Sequence, residues 1–531
     1  MLATFIQHIL LVIIILFLSM LAGQLKIAYP VVLCLAGLVL STVHVLPTIA
    51  INPEMILLIF MPPLLYEAAW YTSWKDLWRW RRVILSFAFL IVIMTAGVVA
   101  LVSTAIIPGF TLALGFLLGG IVSPPDAVSA TSILKYVKVP KAIASILEGE
   151  SLMNDASSLI VVRFALLAIT TGQFVFSQAA VSFVIVIVMG VLIGLLIALV
   201  YYTVHRWLPT TTQVDIVLTL TAPYVMYITA ETFHGSGVLA VVAGGLFLSA
   251  RSHKFLSNRS RIAGADVWAT LGFILNGLVF MLIGLELPVI IKELGTSSVW
   301  EAIKYGLIIT LVLIVGRILS TLGTSVFTTF ISRYIRTANS RPGWKGPLII
   351  GWAGMRGVVS LAAALSIPVY MDNKGHLFPQ RNLILFITFT VILLTLVIQG
   401  LTLPTLIRWI NPPDDDHALP KVDQERKVRK KLLHESMRFL DEEHQEALAS
   451  NSAVKKMREE LEELHLLTSG KEGTKEEKEE YLTISLRLID YQREVLNDLN
   501  KDYATDHEVI RKFHELLDVE EEKLRLQFDI G

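Results

Sequence analysis

The segment GGIVSPPDAVSA, residues 119–130, interrupts an apolar stretch with two prolines and an aspartate. That stretch covers residues 110–134, and Asp126 is its one charged residue. A Pro-Pro pair removes two backbone donors, so it breaks an α-helix at this point. Backbone groups freed by the break need polar partners if the surroundings are apolar. The segment therefore predicts a membrane helix that is broken near its middle, with Asp126 at the break.

The rest of the chain is also unusually apolar. Of its 531 residues, 54% are hydrophobic and 17% are charged, which is atypical of a soluble protein. A helix needs roughly 20 apolar residues to cross a bilayer, and about thirteen segments meet that length. The predicted spans are 6–24, 29–47, 54–70, 83–107, 110–134, 140–171, 177–206, 213–232, 235–250, 266–291, 298–332, 346–370 and 382–410. The expected fold class is an all-α polytopic membrane protein.

Basic residues are distributed unequally between the loops on the two sides of these spans. With the N-terminus outside, 18 Lys and Arg residues lie in inner loops and 4 in outer loops. Cytoplasmic loops carry such an excess. We therefore expect an external N-terminus, a retained span at residues 6–24 rather than a cleaved signal, and a cytoplasmic C-terminal tail.

A second interrupted span mirrors the first. The first six and the last six spans would have opposite orientations, as in inverted-topology repeats, so the fifth and twelfth spans correspond. In the twelfth, residues 346–370, Gly351, Gly354 and Gly357 surround Arg356. Paired broken helices at corresponding positions indicate a binding site near the middle of the membrane. We expect inverted repeats with two broken helices that cross.

The charge balance changes at the end of the last span. Residues 1–410 hold 25 Lys and Arg against 14 Asp and Glu, while residues 411–531 hold 20 against 31. Apolar residues of the tail recur at helical spacing, as at Val428 and Leu432. We predict a transmembrane domain over 1–410 and a helical tail over 411–531. A regulatory or assembly role, with a ligand or protein partner, and a plain solvated appendage are equally open for the tail.

Glu150, Ser151, Asn154 and Asp155 are polar residues within the span at 140–171. On a helix, Ser151 lies one turn from Asp155, and Glu150 lies one turn from Asn154. Charged groups in membrane helices are costly and are candidates for function. Oxygen ligands suit a hard cation, and this span has no Cys or His to suggest zinc or iron. The alternative is a polar seam that only holds helices together.

Asp126 and Arg356 each allow two interpretations. Asp126 could be a cation ligand, or Ser123–Asp126 could be only a helix N-cap followed by an acidic residue. A buried guanidinium stays charged and needs a carboxylate partner. We predict Glu150 as the partner of Arg356, with Asp126 as second choice. The alternative is an arginine that extends to the cytoplasmic surface.

These motifs resemble those of the first monovalent cation:proton antiporter family, the bacterial sodium/proton antiporters related to animal sodium/hydrogen exchangers. The similar pieces are FMPPLLYE at 60–67, the break that ends at Asp126, GESLMNDA at 149–156 and GMRG at 354–357. Their order and spacing agree with that family over roughly residues 1–410. The ESLxND string within a membrane helix is the most specific of them.

The resemblance implies a role for each matching residue. Asp155 would bind either the cation or protons. Asp126 and Ser151 would complete a Na⁺ site together with Asp155. Asn154 would orient that site, and Glu67 would lie at the mouth of the cation path.

The resemblance also implies an assembly and a mode of transport. Glu150 paired with Arg356 would hold the two broken helices in a core domain, which moves against a dimerisation domain in a homodimer. An Asn-Asp pair, here residues 154–155, is associated with electroneutral exchange. The implied function is secondary active exchange of a monovalent cation, Na⁺ before K⁺ or Li⁺, for protons across the plasma membrane by alternating access. Such exchange would serve pH and cation homeostasis.

The break departs from the family pattern at two positions. The family usually has Thr or another small polar residue where this chain has Pro125, and often Pro where it has Ala127. Pro125 has no side-chain hydroxyl, so a ligand at that position would have to be a backbone carbonyl. This departure bears on the choice between Na⁺ and K⁺.

Other function classes are less well supported by the sequence. It has no Walker-type phosphate loop, and we expect no cofactor, no enzymatic activity and no nucleic-acid partner. A cation channel would need a filter-like loop, and an intramembrane hydrolase would need a close pair of aspartates that water can reach. A receptor that signals through the tail stays open as an added role.

Overall fold

The computed structural model describes residues 2–42, 53–173, 176–294, 298–334, 342–371, 376–413, 421–469, 475–499 and 507–528. The chain divides into two compact units, Met1–Asp416 and His417–Gly531, and each is described by itself. Helices form every extended element within the described ranges. The all-α prediction is therefore confirmed.

Nineteen α-helices of the first unit lie in its described part. They are α1 (Leu2–Leu25), α2 (Tyr29–Thr42), α3 (Pro53–Tyr71), α4 (Trp74–Leu85), α5 (Val92–Ile106), α6 (Leu112–Val122), α7 (Ala127–Leu134), α8 (Lys141–Thr171), α9 (Phe176–Trp207), α10 (Thr212–Thr232), α11 (Gly237–Ser249), α12 (Ser252–Phe255), α13 (Asn258–Leu285), α14 (Leu287–Glu293), α15 (Val299–Ile331), α16 (Lys345–Trp352), α17 (Val358–Leu365), α18 (Arg381–Leu394) and α19 (Gly400–Ile410). Two π-helical segments, Ser86–Ile91 and Thr395–Gln399, continue α4 into α5 and α18 into α19.

Each of the thirteen predicted spans falls on one or more of these helices, although residues 43–47 of the second span lie outside the described ranges. Within those ranges, seven continuous or broken helices are long and apolar enough to cross a membrane. A polytopic membrane protein is confirmed, while the number of spans and the inverted repeat stay predictions. The fourth span begins earlier than predicted, because the helix starts at Trp74 rather than residue 83.

Two helices are broken, as predicted, and they meet at their breaks. The first is interrupted between Val122 and Ala127, and the second between Trp352 and Val358. The backbone N–H of Asp126 donates to the carbonyl of Met355 at 2.7 Å, so the two breaks touch.

Close packing positions the first broken helix. A side chain at Gly119 would collide with the backbone of Ala96, so α6 lies directly against α5. On another face of α6, the hydroxyl of Ser158 in α8 donates to the carbonyl of Gly120 at 2.7 Å. Small residues permit such close approach between membrane helices. The break is therefore held against α8, which carries the polar residues predicted from the sequence.

The second unit consists of α20 (Lys421–Glu443), α21 (Gln445–Ser450), α22 (Ser452–Ser469), α23 (Lys475–Leu499) and α24 (His507–Phe528). Helix α20 packs against α22, and α23 packs against α24. Leu482 and Ile489 are buried in this unit. Arg493 of α23 bridges to Asp518 at 2.6 Å and to Glu521 at 2.7 Å in α24.

Candidate ion-binding site

A cavity of about 260 Å³ lies among α3, α7, α8, α13 and α17. Its lining includes Asp126, Ser151 and Asp155, so the three residues predicted to form the Na⁺ site are brought together. The lining also includes Glu148 and Thr72. Glu148 lies about two helical turns from Asp155, toward the basic first residue of α8, on the side predicted to be cytoplasmic.

Asp126 is held in place as the N-cap of α7. Its carboxylate accepts the N–H of Val128 at 3.0 Å and the hydroxyl of Ser129 at 2.7 Å. A carboxylate at this position satisfies N–H groups that lack a helical partner and interacts favourably with the helix dipole. The N-cap interpretation needs a correction, because Asp126 itself is the cap and Ser123 directly follows the last residue of α6. Asp126 also lines the cavity, so the same residue caps α7 and contributes to the candidate site.

Two hydrogen bonds attach α8 to the first break. The N–H of Ala127 donates to the Ser151 hydroxyl at 3.2 Å, and Nδ2 of Asn154 donates to the carbonyl of Pro125 at 2.8 Å. Asn154 is fully buried, and its Oδ1 has no hydrogen-bond partner among the described residues. The carbonyl anticipated at Pro125 is thus oriented by Asn154.

Asp155 differs from Asp126 in having no fixed donor. Asp155 is 7% exposed and lines the cavity. Within the described ranges, no residue donates a hydrogen bond to its carboxylate. A buried charge without a partner is costly, so ionised Asp155 needs a cation or a proton from the cavity.

Glu150 pairs with Arg317 rather than with Arg356. Nη1 and Nη2 of Arg317 donate to the two carboxylate oxygens of Glu150, both at 2.8 Å. Glu150 is 0% exposed and Arg317 is 3% exposed. The predicted Glu150–Arg356 ion pair is therefore wrong. Arg317 is a charged residue deep within an apolar helix, which was a usable signal, but sequence alone did not show which helix faced Glu150.

Arg356 is also fully buried, and it binds backbone carbonyls. Its Nε donates to the carbonyl of Val122 at 2.9 Å, and Nη1 donates to the carbonyl of Gly354. Val122 is the last residue of α6, where helix carbonyls lack partners and a positive charge is favourable. Arg356 therefore caps the first half-helix from within the second break. The alternative of an arginine that extends to the surface is wrong as well.

Gly354 allows the two arginines to lie close together. Its carbonyl accepts the hydrogen bond from Arg356, and a side chain at Gly354 would collide with Cδ and Nε of Arg317. The glycine pattern of the twelfth span thus serves close approach as well as the break.

Glu67 is not among the residues that line the cavity, although its chain neighbour Ala68 is. Its carboxylate packs against Gly272 of α13, where a Cβ atom would overlap it. One turn further along α13, Asn276 lines the cavity, is 7% exposed, and has an Oδ1 atom without a partner among the described residues. Sequence reasoning missed Asn276, although a lone amide in an apolar span was a signal.

The chain is similar to known proteins over most of its first unit. Residues 9–409 match the family described as sodium/hydrogen exchanger, transmembrane. A sodium, potassium, lithium and rubidium/H⁺ antiporter of Bacillus subtilis is 37% identical over 370 residues, which is 67% of this chain and 54% of the relative. The chain thus matches about half the length of that relative. The low-affinity Na⁺/H⁺ antiporter NhaS1 of Synechocystis is 32% identical over 391 residues, 73% of this chain and 70% of the relative.

The fold is also similar to a solved structure. The sodium proton antiporter MjNhaP1 from Methanocaldococcus jannaschii at pH 8 aligns with a TM-score of 0.60 at 19% identity, covering 76% of this chain and 97% of that one. At this identity the likeness concerns the fold alone. The family match, in contrast, extends across both broken helices and α8. The chain belongs to the transmembrane sodium/hydrogen exchanger family.

Proposed function

We propose that this chain exchanges a monovalent cation, Na⁺ as the first choice, for protons by secondary active transport. The proposal rests on one cavity that is lined by two carboxylates with different hydrogen bonding. Asp126 accepts hydrogen bonds with both carboxylate oxygens, whereas Asp155 accepts none from the described residues. The two relatives described as antiporters of Na⁺ and H⁺ support the same function.

Asp155 would be the carboxylate that alternates between the two substrates. A Na⁺ ion would take oxygen ligands from Asp155, Asp126 and the Ser151 hydroxyl, with the Pro125 carbonyl available beside them. Hard cations prefer such ligands. When the cation leaves, a proton neutralises Asp155 and avoids the cost of a bare buried charge. In this account Asp126 keeps its two carboxylate oxygens as acceptors at the start of α7, and Asp155 is the group that takes the proton.

Binding of either substrate, but not of both, would give obligatory exchange. The cavity approaches Asp155 from the side of Glu148 and Thr72, and release on the other side needs a second arrangement of the helices. Asn154 bonded to Pro125, and Glu150 bonded to Arg317, would keep the site intact while its helices move as one body. Alternating access of this kind is common in secondary transporters.

We further propose electroneutral exchange by a homodimer in the plasma membrane, with the N-terminus outside and the tail in the cytoplasm. Asn154 at the position before Asp155 leaves a single carboxylate to titrate in this pair. The excess of basic residues in the loops beside the cavity supports the orientation. Glu67 would attract cations near the mouth of the path, and the tail would serve regulation or assembly. The exchange would serve pH and cation homeostasis.

The test uses the full chain in sealed vesicles with a pH-sensitive dye inside and an imposed proton gradient. Addition of Na⁺, Li⁺ or K⁺ in separate titrations should produce saturable proton movement, with Na⁺ the most effective. No proton movement with any of the three cations would contradict exchange. Recording in a planar bilayer separates the channel alternative, which requires large currents.

A further inference from the structure

The first turns of α4 extend beyond the apolar part of their span. Residues Trp74–Ile106 form one 33-residue helical run, which corresponds to about 50 Å at the helical rise. The hydrocarbon core of a bilayer is only about 30 Å thick. We use the name interfacial segment for Trp74–Arg82, the basic and aromatic beginning of this run.

One face of the interfacial segment combines exposed indole rings with cations. Trp74 and Trp78 are 55% and 58% exposed, and their rings stack with centroids 6.2 Å apart. Exposed basic residues on this segment are Lys75, Arg79 and Arg82. Tryptophan favours the level of the lipid headgroups, and cations near the surface attract anionic lipids.

The opposite face is buried against α8. Leu77 and Ile84 are buried, and a side chain at Gly149 would collide with both. Gly149 directly precedes Glu150 and lies two residues from Ser151, so the interfacial segment contacts the part of α8 that carries the site. Asp76 bridges to Lys141 at the start of α8 at 3.0 Å, which adds a polar contact between the segment and that helix.

The same helical run contacts α8 again beyond the site. The π-helical segment Ser86–Ile91 includes Ala88, whose carbonyl accepts the hydroxyl of Ser157. Contacts at Gly149 and Ser157 therefore lie on either side of Asp155 along α8. A change in the tilt of α4 would be transmitted to the helix that carries the exchange carboxylate.

We propose that the interfacial segment binds the headgroups of anionic phospholipids, and that this binding sets the position of α8. Guanidinium groups match phosphate oxygens in a bidentate manner. The stacked indole rings would fix the depth of the segment while the cations engage the phosphates. Lipid binding by the interfacial segment does not depend on the proposed exchange function. The effect of the lipid on transport does depend on that function.

The variant that tests binding is Lys75→Gln, Arg79→Gln and Arg82→Gln in the full chain. The matched control is Lys254→Gln, Arg259→Gln and Arg261→Gln, which removes three charges from another basic stretch predicted on the same side. Purified proteins are incubated with phosphatidylglycerol or phosphatidylcholine, and retained lipid is measured by native mass spectrometry. We expect the test variant to bind phosphatidylglycerol at least about tenfold more weakly, and the control to bind like wild type. Equal retention by wild type and test variant, or equal loss in the control, would overturn the site.

Transport is then measured in vesicles of phosphatidylcholine with and without phosphatidylglycerol. We expect phosphatidylglycerol to change the exchange rate of wild type and control, and to leave the test variant at its phosphatidylcholine rate. A parallel assay adds soluble glycerol phosphate to phosphatidylcholine vesicles, which tests whether a free phosphate can replace the lipid. If glycerol phosphate changes the exchange rate as much as phosphatidylglycerol does, the lipid assignment is overturned. A loss of rate by the test variant in phosphatidylcholine alone would show a structural defect and would overturn the coupling. If no protein exchanges ions, the proposed function fails, while the retention measurement still decides the site.

Discussion

The backbone N–H of Asp126 donates to the carbonyl of Met355 at 2.7 Å, and this bond joins the two broken helices at their breaks. The next N–H, from Ala127, donates to Ser151 of α8. Both N–H groups at the start of α7 are therefore satisfied without water. Irregular backbone within a membrane protein is tolerated where such partners exist. The polar residues of the site thus serve the fold and the proposed transport together.

Arg317→Ala should strongly destabilise the transmembrane unit. The change leaves the carboxylate of Glu150 buried without its bidentate partner, which typically costs about 3–5 kcal/mol. Thermal unfolding of the purified protein in detergent measures the effect. Arg408→Ala, which removes an exposed arginine, should stay within about 0.5 kcal/mol of wild type. Equal unfolding temperatures for Arg317→Ala and wild type would contradict the ion pair.

Gly357→Ala should impair cation binding because of a close approach. A Cβ atom at Gly357 would collide with the carboxylate of Asp126, so that side chain would have to leave its capping position. We expect a rise in the KM for Na⁺ of about fivefold or more, because the lost cap and ligand geometry would cost at least about 1 kcal/mol. Gly316→Ala is the control, since no atom lies within 4 Å of its Cβ position. An unchanged KM in Gly357→Ala would count against Asp126 as a ligand.

Asn154→Asp should weaken cation binding rather than improve it. The amide donates to the carbonyl of Pro125 at 2.8 Å, and an ionised carboxylate cannot donate. The loss of a buried hydrogen bond costs about 1–3 kcal/mol, equivalent to roughly 5-fold to 150-fold in affinity. Kinetics in dye-loaded vesicles measure the KM for Na⁺. A lower KM in the variant would show that added negative charge outweighs the orientation of Pro125.

The residues of the site were largely predictable because a charge in an apolar helix has few structural uses. Asp126, Ser151 and Asp155 were singled out by that argument and by helical spacing, and the family resemblance joined them in one Na⁺ site. The structure brings them to one cavity. Glu67 was predicted at the mouth of the path, and it packs against Gly272 instead of lining the cavity. Its proposed role of attracting cations therefore depends on a position near the cavity and not on direct contact with the cavity.

The pairing of buried charges was not predictable. Glu150 could face either Arg317 or Arg356, because both arginines are buried within apolar helices and spacing along the chain does not order helices in space. Arg356 donates to the carbonyl of Val122 instead of to a carboxylate. The sequence does not indicate this partner, because the carbonyl becomes available only when α6 ends at the break. The early start of α4 was missed for a related reason. Its basic residues read as a loop, yet they lie on the exposed face of a helix whose other face is buried.

Glu521→Gln should loosen the pairing of α23 with α24 in the tail. Hydrogen bonds from Arg525, and then from Arg493, hold the pKa of the Glu521 carboxyl below its usual value. A lowered pKa stabilises the folded state above the unfolded pKa of about 4.3, and this contribution is lost as the pH falls through the folded pKa. The Glu521 side chain is 20% exposed, so solvent screens its ion pairs and the expected effect is below about 1 kcal/mol.

Amide hydrogen exchange in α24 of the full chain at neutral pH measures this change. Exchange should be faster in Glu521→Gln and unchanged in Glu522→Gln, which alters an exposed neighbour. Equal exchange in both variants would show that Arg493 and Asp518 hold the two helices together without Glu521.

The most direct test of the central claim is exchange by Asp155→Asn in vesicles loaded with a pH-sensitive dye. The substitution keeps the size of the side chain and removes the group that would bind Na⁺ or a proton. Asp266→Asn, at an exposed position of α13, is the control and should exchange like wild type. We predict that Asp155→Asn unfolds at a temperature no lower than wild type and shows no proton movement on addition of Na⁺. Exchange by Asp155→Asn at the wild-type rate would contradict the account.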